Sequence, residues 1–444
     1  MNRADVPATT NASASASAST LSIPIRQLLP VLLVWVVLAL LPVGRLSELP
    51  VLVAAVAALV MLARGHRALL ALPAVRLALA LFACYWLPAL VSALDAVDPG
   101  KTWSQVAGQL RFGLFAVFVA ATLRSIGQWL WLLRASALLL ALWVADAWIQ
   151  ALTGTSLGGS MDSDRLSGVF GADNLKLGGV LATLSPFLLV WLQSRFGLKA
   201  VLLAALALSG VILLAGSRAA WLVWLLGLAG WCWRPGAIDR RRAMALAATV
   251  IVAGLAVAWG AYQWSPEFAQ RIDRTVHLAR GDAAGVDHAL AGRLNIWRAS
   301  VDMIGTYPVN GVGVRGFRQV YADHAVDGDW LLEDGGAFHA HPLLLEVATE
   351  TGAIGVLGWL AGLALLWRSA RRQPAAARGR AWPVLLALAA MCFPLNTHYA
   401  FYSSWWGLFF WWLLAVAVAA LHVRDDCPPP AAPDDQRRPP LPVA

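Results

Sequence analysis

Charge is scarce in this chain of 444 residues: Asp, Glu, Lys and Arg together make up 13% of it, about half the roughly 25% of a soluble domain. So little charge excludes a surface that faces water over most of its area. Lysine is scarcer still, with only Lys101, Lys176 and Lys199 among 34 basic residues. The lack of a lysine near a candidate site is therefore uninformative. The four cysteines, Cys84, Cys232, Cys392 and Cys427, show no CxxC or Cys/His spacing, which argues against a disulfide frame or a zinc site. No cleavable signal peptide is legible. Residues 1–24 are Ala/Ser/Thr-rich and of low complexity, so the first apolar run reads as a retained helix. The net charge is +9, yet no basic patch lies on a soluble face, and nucleic acid is not an expected partner.

What is abundant is apolar: 59% of the residues are hydrophobic and 23 are tryptophan, a residue favoured at bilayer interfaces. About 20 helical residues cross a hydrocarbon core of ~30 Å. Runs near that length recur at 27–44, 46–63, 75–94, 105–123, 127–151, 174–194, 198–215, 217–233, 244–264, 341–367, 380–397 and 403–422. The expected class is an all-α polytopic membrane protein of about twelve spans. Alternate short loops carry the arginines: Arg64, Arg67 and Arg76; Arg124; Arg195 with Lys199; Arg234 and Arg240–Arg242; Arg368, Arg371, Arg372, Arg378 and Arg380. The positive-inside rule makes that side cytoplasmic, with both termini. The expected organisation is a disordered cytoplasmic N-terminus (1–26), nine spans (27–264), a large helical loop domain on the far side (265–340), three spans (341–422) and a disordered cytoplasmic tail (423–444).

Loops as long as 265–340 are usually functional or disordered. Within 292–305 the residues Leu294, Trp297, Val301 and Ile304 recur at helical spacing, with Arg293, Arg298 and Asp302 on other faces, so a small helical cap over the bundle is expected. Gly311-Val-Gly313-Val-Arg315-Gly316 has the form GxGxxG. A dinucleotide site needs a strand before it and a βαβ unit around it, and a loop between spans supplies neither. The glycines are expected to bring backbone close to a ligand or to the bilayer. Asp323, Asp327, Asp329, Glu333 and Asp334 form an acidic stretch without EF-hand spacing, read as a solvated face, and no metal site is expected.

Several positions stand out chemically. His341, in His339-Ala-His341-Pro342, falls at about the N-cap of the tenth span. A neutral imidazole there can take a proton from a hydroxyl, and the helix N-terminus and any arginine nearby favour the neutral ring. An interfacial cap is the bland alternative. Arg218, after Gly216-Ser217, sits at a span start, where its fork suits paired phosphate oxygens; snorkelling is its alternative. Arg293 opens the cap helix, with Arg315 and Arg318 as further candidates and a solvated face as the alternative for each. Arg111 and Asp146 lie inside apolar runs and are expected to pair with each other, or else to line a substrate path. Arg134, near a span end, reads as a snorkelling residue. Glu346 and Glu350, one turn apart, need cationic or hydrogen-bonding partners.

In this order, these residues resemble the O-antigen ligase superfamily, which holds O-antigen ligases, O-antigen polymerases and bacterial O-linked oligosaccharyltransferases. The features that carry the resemblance are Gly216-Ser217-Arg218-Ala-Ala-Trp221; Gly292-Arg293 through Trp297, followed by Tyr307-Pro308-Val-Asn310-Gly311-Val-Gly313 and Phe317; and His341-Pro342 leading to Gly352-Ala-Ile-Gly355. They span about residues 170–400. The ligase pattern has Asn, Ser or Gln after the histidine where this chain has Pro342, which leaves His339 as an alternative base. The resemblance implies His341 as catalytic base and Arg218 and Arg293 as diphosphate ligands. It implies an undecaprenyl-diphosphate-linked O-antigen as donor and a lipid A–core oligosaccharide as acceptor. It further implies inverting transfer without metal, nucleotide or cofactor, at the outer face of a bacterial inner membrane. A polymerase and an O-linked protein glycosyltransferase share the donor chemistry. A lipid-linked sugar transporter is the alternative of another class, and it would favour internal repeats.

Overall fold

The computed structural model describes residues 24–161, 165–172, 174–234, 239–264, 293–333, 335–397 and 399–424, with isolated positions between 266 and 273. Residues 1–23, most of 265–292 and the tail 425–444 lie outside the described residues, and the expectations of disordered ends fall there. The fold is all-α. Among the described residues nine helices precede the large loop: α1 (Ile25–Ala39), α2 (Glu48–Leu70), α3 (Pro73–Ser92), α4 (Pro99–Thr122), α5 (Ile126–Thr153), α6 (Lys176–Phe196), α7 (Leu198–Leu214), α8 (Arg218–Cys232) and α9 (Arg240–Trp264). The loop contributes α10 (Arg293–Thr306) and α11 (Phe317–His324) among its described residues, and α12 (Leu343–Arg372), α13 (Ala375–Met391) and α14 (Ser404–His422) follow. A two-residue strand pair, Thr155–Ser156 with Gly159–Ser160, is the one sheet among the described residues.

A helix lies over each of the twelve apolar runs. Eight helices are long and apolar enough to cross a membrane unaided; α1, α7, α8 and α13 have 15 to 17 residues. The thirteenth helix ends at Met391, six residues before the expected limit of 397, because Pro394 and the turn around it cannot continue it.

Burial ranks the helices. The spanning windows of α6 and α14 are 78% and 83% buried, against 17% for α9 and 11% for α12, so α6 and α14 form the axis while α9 and the apolar stretch of α12 lie toward the rim. Trp129, Trp231, Trp411 and Trp412 are wholly buried, a role beyond the interfacial one their number suggested. An indole N–H in an apolar core favours a partner: Trp412 donates to the Val34 carbonyl at 2.8 Å and the half-buried Trp405 to that of Leu41 at 3.2 Å, tying α14 to α1, whereas the Trp411 N–H has none among the described residues. At one end of the bundle the start of α1, the α4–α5 turn and the end of α14 meet, through Gln128 Nε2 to the Gln27 carbonyl at 2.9 Å and Arg424 N to the Arg124 carbonyl at 2.9 Å.

The helix α12 is broken at Gly352 (φ 61°, ψ −159°). A break exposes carbonyls on one side and N–H groups on the other, and these must be satisfied where water is scarce. The turn segment 308–313 does so. Val312 N and Gly313 N donate to the Thr349 and Glu350 carbonyls at 2.9 and 3.1 Å, while Ala353 N and Ile354 N donate to those of Pro308 and Val309 at 2.9 and 3.1 Å. The close approach explains the glycines: a Cβ at Gly311 or Gly352 would strike the opposing backbone. The GxGxxG segment therefore approaches the backbone of a broken helix.

Arg111 and Asp146 do not pair. Arg111 forms a two-pronged ion pair with Glu48 across α4 and α2, Nε at 2.7 Å and Nη2 at 2.9 Å, whereas Asp146 accepts from Leu157 N at 2.7 Å. Nothing in the spacing of the sequence marked Glu48 as the partner, which comes from a helix two positions earlier. Arg134 is exposed.

Candidate functional site

The opposite end of the bundle gathers the starts of α8, α10 and α12 and the α13–α14 connection. Gly216 takes a left-handed conformation (φ 72°) that turns the chain out of α7. Ser217 then caps α8, its hydroxyl accepting from Ala220 N at 3.4 Å, and Arg218 becomes the first helical residue. Arg293 opens α10, close to the helix expected at 292–305. The buried face is not the expected one: Ile296, Ala299, Ser300 and Met303 face inward, while Val301 is 62% exposed. The stripe is rotated by one residue because the cap has its own small core, shared with Phe317, Tyr321 and Ala340. The acidic stretch is also only partly solvated, since Asp329 is buried and accepts from Tyr321 Oη at 2.6 Å and Asn295 Nδ2 at 3.2 Å. Asp334 lies outside the described residues.

His341 does not cap α12. Pro342 holds the N-cap position and Leu343 is the first helical residue. His341 instead lies in the left-handed region (φ 67°), where Arg315 (φ 65°) is its one non-glycine companion among the described residues. Such backbone costs roughly 1–3 kcal/mol and concentrates at functional sites. The helical alternative is closed to His341 by the proline that follows.

Its side chain is fixed by one bond. His341 Nδ1 lies 3.2 Å from the carbonyl oxygen of Thr397. A carbonyl only accepts, so Nδ1 carries the proton, and in the neutral ring Nε2 keeps its lone pair. Thr397 belongs to the α13–α14 connection, which a buried carboxylate holds in place: Glu346 accepts from Phe401 N at 3.0 Å and Tyr402 N at 3.2 Å. Glu350, one turn on, accepts from Arg315 N at 2.8 Å. The partners that these glutamates required are thus mainly backbone N–H groups. Neither Thr397 nor its connection was visible as part of a site, since the run 380–397 reads as helix; the proline at 394 was the available signal.

Arg218, Arg293 and His341 come close enough for charge to act from one to the next. Burial first, and then the neighbouring cation Arg218, lower the Arg293 guanidinium from its ordinary value, although arginine stays charged in proteins. Burial, followed by the Arg293 charge, lowers the His341 imidazole to about 4, against the opposing hydrogen bond to Thr397. His339 stacks beside His341 with ring centroids 4.2 Å apart. Arg315 sits half-buried with its charge acting on Glu346 and Glu350. Arg318 is exposed and lies over the Phe338 ring at 4.2 Å, and Arg111 is engaged with Glu48. The arrangement offers a basic nitrogen beside two cations, which favours an anion between them. No group of His, Cys, Asp and Glu suited to a metal ion occurs among the described residues.

A titration of the His341 ring by 15N NMR will find its midpoint near 4, well below the ordinary 6.5; a midpoint at or above 6 contradicts the buried, cation-flanked ring. Between those two values the unfolded chain binds the proton that the folded one refuses, so this residue's effect on stability is adverse as pH falls from about 6.5 toward 4.

No curated protein matches the chain. Residues 202–360 match the family described as O-antigen ligase. The matched stretch runs from α7 through α8, α9 and the large loop into α12, and holds Arg218, Arg293 and His341. Over that stretch the chain is similar to the O-antigen ligase family, which supports an assignment to the O-antigen ligases and polymerases for a chain built from apolar helices of membrane-crossing length.

Proposed function

We propose that the chain is an O-antigen ligase that moves a glycan from undecaprenyl diphosphate to a hydroxyl of lipid A–core oligosaccharide, in the inner membrane, with the arginine-rich loops and both termini in the cytosol and the site on the periplasmic face. His341 Nε2 removes the proton of the acceptor hydroxyl. The freed oxygen attacks the anomeric carbon on the side opposite the diphosphate. The bond from that carbon to the diphosphate oxygen breaks with its electron pair, so undecaprenyl diphosphate leaves and the configuration inverts. Arg218 and Arg293 hold the diphosphate and neutralise the charge that grows on it. The leaving group is good enough that no covalent enzyme intermediate is required, and no metal has a part in this scheme.

What supports the reading is the tautomer: with Nδ1 bound to the Thr397 carbonyl, the lone pair of Nε2 is the free end of a ring that stays neutral above about pH 4. Purified protein, carrier-linked glycan and three separate acceptors test it. Glycan on lipid A–core, made in the presence of EDTA and with release of undecaprenyl diphosphate, is the expected product. Extension of a second carrier-linked glycan instead identifies a polymerase, and a modified Ser/Thr peptide identifies a protein glycosyltransferase. Movement of the carrier across the bilayer without any covalent product overturns the enzymatic reading.

A further inference from the structure

The helix α12 joins the candidate site to a second feature at its other end. From the break at Gly352 to its end at Arg372 the helix rises ~30 Å at about 1.5 Å per residue, enough to cross a bilayer core. Between the start of α3, the last turns of α12 and the end of α14 opens a cleft of about 730 Å³. Its wall is apolar, made by Leu77, Ala361, Ala364 and Leu365, and its rim carries Arg76, Arg368 and Arg372; no Asp or Glu lines it. Arg378 and Arg380, at the same end, are occupied with the carbonyls of Gln373 and Val423, at 2.7 and 3.1 Å. Arg76, Arg368 and Arg372 have no hydrogen-bond or ion-pair partner among the described residues. His422 is already engaged: its Nδ1 lies 2.8 Å from the Val418 carbonyl and its Nε2 3.4 Å from the Gln373 amide nitrogen.

The geometry points to a binding site for one anionic phospholipid, with its phosphate on Arg76, Arg368 and Arg372 and an acyl chain along the wall. Topology alone asks only for arginines in loops. It does not ask that arginines of two helices converge on one cleft. Nor does it ask for the order seen along α12, where Ala361, Ala364, Leu365, Arg368 and Arg372 follow a single helical stripe from apolar to cationic. That order is the polarity profile of a phospholipid from tail to head. Guanidinium forks pair with phosphate oxygens, and the site carries no carboxylate to repel them. A zwitterionic lipid would set its own ammonium against three cations, and a free phosphate would leave the wall unused.

Native mass spectrometry of the full chain in detergent tests the site, with phosphatidylglycerol and phosphatidylethanolamine as probes. The wild type will retain one phosphatidylglycerol at least ~10-fold more tightly than phosphatidylethanolamine. The combined Arg76→Gln, Arg368→Gln, Arg372→Gln variant will lose that preference. Ala364→Trp, which fills the wall and leaves the arginines, will lose it too, while Arg371→Gln with Arg378→Gln will keep it. Equal retention of the two lipids by the wild type overturns the proposal, as does an undiminished preference in the triple variant. Displacement of the lipid by glycerol phosphate as effectively as by an intact phospholipid overturns the acyl half, leaving an anion site.

Discussion

His341→Ala lowers glycan transfer by ~10³-fold or more, within the range of 10²–10⁴ typical for loss of a general base. The substitution also places alanine at φ 67°, a strained position that adds a folding cost to the chemical one. His341→Asn separates the two, because asparagine tolerates the left-handed region far better than most residues yet its amide cannot take a proton. Both variants should show the same low rate, and His341→Asn should match the wild type in thermal stability. Transfer by His341→Asn within ~10-fold of wild type removes the base assignment. His339→Ala supplies the complementary control. The ring of His339 packs on His341 at 4.2 Å, so its loss is expected to loosen the base and cost less than the loss of His341 itself.

Arg293→Ala lowers transfer by ~10²–10³-fold, the scale on which one donor to a developing anion acts, and Arg218→Ala does likewise. The loss should fall mainly on kcat, since the diphosphate gains charge as the sugar departs. Lysine at either position restores the charge without the planar fork, so recovery is partial. On the proposal that the two residues share one anion, their effects are not additive: removing the second arginine costs less than removing the first. Arg293→Ala also takes a cation away from His341, and the midpoint of the imidazole rises from about 4 as a result. A double variant that loses the full product of both effects, with an unmoved His341 titration, contradicts a shared site.

Much of this was readable along the chain, for reasons of scale. Helices crossing a bilayer are written in runs of 15 to 30 residues whose signal is additive, and all twelve runs lie under helices. Arg218 was marked by Gly216-Ser217, a turn and a cap that are local chemistry, and Arg293 by the start of an amphipathic period. Failures came where a side chain chooses among distant partners. Arg111 selected Glu48, 63 residues away, over the aspartate that hydropathy placed at a similar depth. The face of α10 was misjudged because periodicity reports that a helix is amphipathic, while the packing of Phe317, Tyr321 and Ala340 decides which residues turn inward.

By itself, then, the sequence determined the solvent of this protein, its helical class, and the residue types that carry charge at helix starts, because each depends on composition or on neighbours within a turn or two. Tertiary structure alone decided that Nδ1 of His341 meets the Thr397 carbonyl, 56 residues on, and that Glu346 holds the connection bearing that carbonyl. A tautomer and a lowered proton affinity are properties of a surrounding cavity. They arise only when segments remote in the chain exclude water together and present a fixed acceptor and a fixed cation to the same ring.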